Sequence, residues 1–97
     1  MKTNREELGD FMEMLKMNLS LLELLSNWDP LGYGIGSYDT EIADTIQAVH
    51  IMNDQDKLAR KIQSIYEFSF EEIIPLDECR EIAGKLLVIK NEESCSL

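Results

Sequence analysis

TNREELGDFMEMLKMNLSLLELLSNW, residues 3–28, is the stretch on which the fold class turns. Thr3 stands three residues before Glu6, the spacing of a capping box, in which a hydroxyl and a carboxylate each satisfy an open amide at a helix start. Behind it Leu8, Phe11, Met12, Leu15, Leu19, Leu22 and Leu25 recur at three- and four-residue steps. That is the period of one helix face, whereas a half-buried strand would alternate at two. Pro30 disfavours helical backbone at Asp29, so the helix must stop near Trp28.

The same pattern recurs down the chain. Asp39 and Thr40 introduce a second helix, with Glu41 and Asp44 in its first turns, where the helix dipole favours negative charge. Ile42, Ala43, Ile46 and Val49 form its expected inward face. Asn53 and Asp54 interrupt it, and Asp54 is placed to cap a third helix carrying Leu58, Ala59, Ile62, Ile65 and Tyr66. FSFEEIIP, residues 68–75, reads as a short irregular turn, with Ser69 as a candidate cap and Pro75 as a stop. A fourth helix starts near Leu76 or Asp77 and carries Ile82, Ala83, Leu86, Leu87 and Ile89, and residues 92–97 read as a frayed polar tail. The expectation is an all-α fold in a single domain over residues 1–97. It is a small bundle of four helices, within a range of three to five, at residues 4–27, 40–53, 55–68 and 77–91. Leu22, Ile46, Ile62 and Leu86 lie mid-stripe and are expected in the core.

Composition bounds the rest. Apolar residues make up 44% of the 97, enough for one core and too many for a disordered chain. The start MKTNREELGD lacks the apolar stretch of a secretion signal, and no run approaches a membrane span. A cytoplasmic location and reduced Cys79 and Cys95 follow as expectations. Nineteen acids against nine bases give a net charge of −10. Between Lys16 and Lys57 there are seven acids and no lysine or arginine; between Lys61 and Arg80 come Glu67, Glu71, Glu72, Asp77 and Glu78. Such a surface repels nucleic acid and anionic lipid and complements a basic partner.

NWDPLGYGIGSYD, residues 27–39, is the unusual stretch. Glycines at alternate positions are interleaved with large apolar and aromatic side chains. Either the aromatics cap one end of the core, or they form a contact surface. The candidate interaction or loop-structuring residues are Trp28, Asp29, Pro30, Gly32, Tyr33, Gly34, Ile35, Gly36, Tyr38, Asp39 and Glu41. Asp29 should accept hydrogen bonds from amides near Gly32 to Gly34, Trp28 should pack on the core end, and at least one of Tyr33, Ile35 and Tyr38 should be exposed.

Known site chemistries fit poorly. A dinucleotide loop needs a preceding strand and a differently placed third glycine, and no lysine follows the glycines within twenty residues, as a phosphate-binding loop would require. With Asp29 at the first position of a calcium loop, Gly34 falls correctly, but Leu31 and Tyr33 occupy ligand positions and Thr40 stands where a bidentate Glu belongs. The lone His50 is preceded three residues earlier by Gln47, not the Glu of a di-metal bundle, and Cys79 and Cys95 lack zinc spacing. Cys79 opens a helix, but Asp77, Glu78 and Glu81 oppose a thiolate. No nucleophile, base and orienting group assemble, so no catalytic, metal or cofactor residue is assigned.

Residues 28–50, WDPLGYGIGSYDTEIADTIQAVH, and 58–79, LARKIQSIYEFSFEEIIPLDEC, resemble the YugE-like family of small uncharacterised proteins from Bacillus and relatives. That resemblance covers the chain from the first helix to about Glu92. It implies an all-helical domain and supplies no catalytic residues. Residues 28–41 are also similar to segments of small immunity proteins encoded beside bacterial toxins. Two functions follow as expectations. The first is a non-enzymatic protein-interaction module, immunity- or antitoxin-like as a special case, acting as a monomer or weak homodimer on a protein partner with a basic surface. The alternative is a metal- or small-molecule-dependent activity using Glu67, Glu71 and Glu72 with Tyr33 or Tyr38.

Overall fold

The computed structural model describes the backbone of residues 4–34 and 36–95 and the side chains of residues 15–34 and 36–92. Four helices follow in order, α1 (Asn4–Ser26), α2 (Asp39–Ile51), α3 (Gln55–Phe70) and α4 (Leu76–Cys95), with no strand among the described residues. The fold is the small all-α bundle that the periodicities imply. Thr3 of the expected capping box lies outside the described residues, as do the side chains of Leu8, Phe11 and Met12.

Helix ends follow local chemistry. The Asp54 carboxylate accepts from the amides of Asp56 (2.9 Å) and Lys57 (3.1 Å), capping α3 as its position suggests. At α2 the N-cap is Tyr38, with no side-chain cap bond, and Asp39 is already the first helical residue. The far end of α2 is closed by an unexpected residue. Lys90 Nζ, reaching across from α4, donates to the carbonyls of Val49 (2.8 Å), His50 (3.3 Å) and Met52 (3.3 Å) and to Asn53 Oδ1 (2.9 Å). A cation there satisfies carbonyls that the helix leaves open and offsets the negative end of its dipole.

Two boundaries differ from the sequence reading. Phe68, Ser69 and Phe70 continue α3 and do not form a separate turn, because nothing in FSF breaks a helix. The stop comes at Glu71, which takes the left-handed conformation (φ 56°, ψ 32°) usually left to glycine. The expected frayed tail is helical as far as Cys95, since residues 91–95 hold neither proline nor glycine.

α3 and α4 form the most extensive helix pair, and α1 packs on α2 and α4. Ile62, Leu58, Ala59 and Tyr66 of α3 meet Cys79, Ala83 and Leu86 of α4, all fully buried, with Ile82 nearly so; Val49 and Ile42 of α2 and Leu21 and Leu25 of α1 complete the core. The faces expected for α3 and α4 are therefore the buried ones. Two residues expected inside are not: Leu22 is 43% exposed and Ala43 is exposed, while Ile46 is half-buried. The face of α1 that enters the core runs Met17, Leu21, Leu24, Leu25, Trp28. It is a second apolar stripe of three- and four-residue steps. The first stripe leaves Leu15 (42%), Leu19 (56%) and Leu22 facing solvent.

Candidate functional site

The connection between α1 and α2 is built around two side chains, Asp29 and Tyr38. α1 ends as the Trp28 amide donates to the Leu25 carbonyl (3.2 Å), and Pro30 fixes the exit. Gly32 (φ 78°), Gly34 (φ 98°) and Gly36 (φ 95°) then carry the chain through left-handed backbone that side-chain-bearing residues resist. The curve brings Tyr38 back beneath the loop. Its hydroxyl donates to Asp29 Oδ1 and accepts from the amides of Leu31 and Tyr33, both at 3.3 Å. The Gly34 amide donates to Asp29 Oδ2 (3.0 Å), and the Ser37 hydroxyl donates to the Tyr33 carbonyl (2.9 Å). Asp29 thus accepts from a loop amide, as its place after a helix end suggests. The Tyr38 hydroxyl, with help from loop amides, holds the Asp29 carboxyl below its ordinary range. Burial first, and the bond to Asp29 second, push the Tyr38 phenol up.

Beneath this polar knot the aromatics stack inward. Tyr38 is 1% exposed and packs on Tyr66 (centroids 5.5 Å) and edge-on against Phe70 (5.4 Å, 76°). Trp28 meets Tyr66 edge-to-face at 5.4 Å and 73°, so it packs on the core end as expected. Tyr33 behaves differently. One face of its ring lies 5.3 Å from Phe70, yet the residue is 47% exposed. Its hydroxyl donates to Glu72 across 39 residues of chain, and that carboxylate, more than desolvation, pushes the Tyr33 phenol up. The loop is therefore divided: Trp28 and Tyr38 pack against the core, while Tyr33 is half exposed. Ile35 lies outside the described residues. Asp39 is exposed, whereas Glu41 is only 7% exposed and its carbonyl accepts from the Thr45 hydroxyl (2.8 Å).

The Tyr33–Glu72 bond joins the loop to the end of α3. There Phe68 is 88% exposed and shares a shallow depression with Ser64, Glu67 and Glu71; Ile73, next to Glu72, is 66% exposed. Phe68 and Ile73 were not singled out by sequence. Continuing the α3 periodicity past Tyr66 would have found Phe68, because position 68 falls off the Leu58/Ile62/Tyr66 face. The result is a surface with aromatic and aliphatic groups set among three carboxylates.

Elsewhere, His50 and Cys79 are taken up by the fold. His50 is half-buried and shares a 2.7 Å hydrogen bond with Asn18. Cys79 is a free thiol, fully buried, and burial together with Glu78 pushes it up to about 11. Among the described residues no three His, Cys, Asp or Glu side chains group closely enough to hold a metal ion, and no helix is long and apolar enough to cross a membrane.

Comparison with known proteins agrees with the fold. Residues 20–96 match the model of a domain of unknown function, DUF1871. The chain belongs to this family. It is 49% identical over 76 residues to the uncharacterised protein YugE of Bacillus subtilis, covering 78% of this chain and 88% of YugE. A crystal structure of a Bacillus stearothermophilus protein superposes with a TM-score of 0.77 at 45% identity, over 79% of this chain and 95% of that one.

Proposed function

We propose that this DUF1871 protein is a non-enzymatic interaction module. Its docking surface is the Tyr33 edge of the loop together with Phe68, Glu67, Glu71, Glu72 and Ile73 at the end of α3. The observation that carries the reading is the near-complete exposure of Phe68 beside Glu67 and Glu71, next in sequence to the Glu72 carboxylate to which Tyr33 is tied. Leaving a phenylalanine in water forgoes roughly 1.5–3 kcal/mol of burial, which a bound partner would recover. The carboxylates, on a chain of net charge −10, select the partner's chemistry: a basic protein segment that presents an apolar side chain between lysines or arginines. Glu71 supports the same reading, since an acid occupies a left-handed position where glycine costs less.

The test uses the full-length chain as bait in its native cell, with quantitative mass spectrometry against variants. Phe68→Ser and Tyr33→Ala should each strip a basic protein from the bait. Glu71→Gly should weaken its capture without weakening the fold, because glycine relieves the left-handed backbone. Capture that survives all three substitutions places the docking surface elsewhere. Thermal stabilisation by a divalent cation that disappears in a Glu67→Gln/Glu71→Gln/Glu72→Gln variant would instead support a metal-dependent activity.

A further inference from the structure

The first helix also presents an apolar surface on its solvent side. α1 is apolar twice over. Leu21 and Leu25 enter the core, and Leu15, Leu19 and Leu22 form a ridge on the solvent side at steps of four and three, the a/d rhythm of a helix-pairing seam. In the sequence the same heptad spacing runs back through Met12 and Leu8. The residues flanking this ridge are informative. Lys16 and Glu23 are both exposed and lie seven residues apart, two turns, on the same flank.

The geometry points to a weak antiparallel homodimer through α1, with its two-fold axis at Leu19. A two-fold interface is self-complementary, so residue i meets j and j meets i. Centred on Leu19, it sets Leu19 on the partner's Leu19 and Leu15 near the partner's Leu22. The same register brings Lys16 within one residue of facing the partner's Glu23, and Glu23 within one residue of facing the partner's Lys16, a gap these long side chains span. Glu92 of α4 borders the same shallow depression as Glu23, so each incoming Lys16 meets two carboxylates that otherwise repel one another. A parallel pairing would place the two Lys16/Glu23 flanks on opposite sides of the seam and leave these charges unmatched. A partner of strongly basic character, suited to the Phe68 surface, has no comparable match here, because the ridge itself is uncharged and one flank carries a lysine.

The seam is short. A register centred on Leu19 overlaps residues 12–26 of each α1, and a net charge of −10 on each copy opposes association, so the dimer should form only at roughly 10–100 μM. Sedimentation equilibrium of the full chain over about 5–500 μM tests this, since it spans the concentrations at which so small an interface half-fills. The wild type should convert reversibly from monomer to dimer across that range. Leu19→Lys should remain monomeric throughout with an unchanged helical circular dichroism spectrum, as Leu19 is exposed in the monomer. Lys16→Glu and Glu23→Lys should each weaken the dimer by about tenfold, because both symmetric pairs become repulsive. The double variant K16E/E23K should regain most of that loss, since the pairs are restored with charges exchanged. A wild type monomeric at every concentration overturns the inference. So does a Leu19→Lys variant that associates as before, or a double variant no tighter than the singles.

Discussion

Tyr66 is fully buried, its ring wedged against Trp28, Tyr38 and Phe70, yet its hydroxyl has no hydrogen-bond partner. Thr45 is near enough to influence the phenol, but it gives its proton to the Glu41 carbonyl at 2.8 Å and does not reach bonding geometry with Tyr66. Burial chiefly, and the nearby Glu41 next, push this phenol up, so it stays protonated with its proton unused. An unpaired buried hydroxyl costs ~1–3 kcal/mol. Removing it as Tyr66→Phe keeps the ring contacts and opens only a small void, so we expect a net gain of about 1 kcal/mol. In a domain of this size that raises Tm by roughly 4–8 °C. Tyr38 supplies the control. Its hydroxyl is also buried but makes three bonds, to Asp29 and to the amides of Leu31 and Tyr33. Tyr38→Phe strands those groups and should lower stability by about 1–3 kcal/mol. Urea unfolding followed by far-ultraviolet circular dichroism, with unchanged m-values, gives both numbers. If Tyr66→Phe loses more than about 0.5 kcal/mol, the hydroxyl is bonded in solution and the reasoning fails.

Ile62→Ala and Leu86→Ala should each cost ~2–5 kcal/mol, while Leu22→Ala should cost under about 1 kcal/mol at protein concentrations where α1 is unpaired; equal losses would mean the α1 face is misassigned. Because the Asp29 carboxyl is held below its unfolded value of 3.8, its ionised form stabilises the folded state above that pH. The stability gap between wild type and Asp29→Ala should therefore be constant near neutrality and shrink as pH falls below 3.8, and a gap that widens on acidification would reverse the sign. Cys79, pushed up to about 11 and buried, should resist iodoacetamide at pH 8 in a Cys95→Ser background and react at once in urea; rapid labelling of the native state would contradict its burial.

What the sequence could and could not disclose follows from the range of the interactions involved. Asp54 was legible because a cap bonds to amides two and three residues away, and Asp29 because a helix end, Pro30 and three glycines leave few acceptors for the loop amides. Both are local. The split within the loop was not legible: Tyr33 and Tyr38 lie in one short glycine-rich segment, and only the path of the chain over Tyr66 and Phe70 sends one inward and the other to Glu72. Lys90 was invisible for the same reason, since its four acceptors lie about forty residues earlier.

The α1 helix shows the limit most sharply. Leu15, Leu19 and Leu22 satisfy the three- and four-residue rule as well as Met17, Leu21, Leu24, Leu25 and Trp28 do, so periodicity establishes a helix but cannot choose its core face. The choice is made by α2 and α4, against which the second stripe packs, and by Trp28, which must reach Tyr66. A helix apolar on one face has finished its packing within the monomer. One apolar on two faces leaves a ridge in solvent, here Leu15, Leu19 and Leu22 with Lys16 and Glu23 on one flank. The apparent error in reading the first helix and its surplus leucines thus have one cause: α1 is apolar on two faces, and the monomer's core uses only one of them.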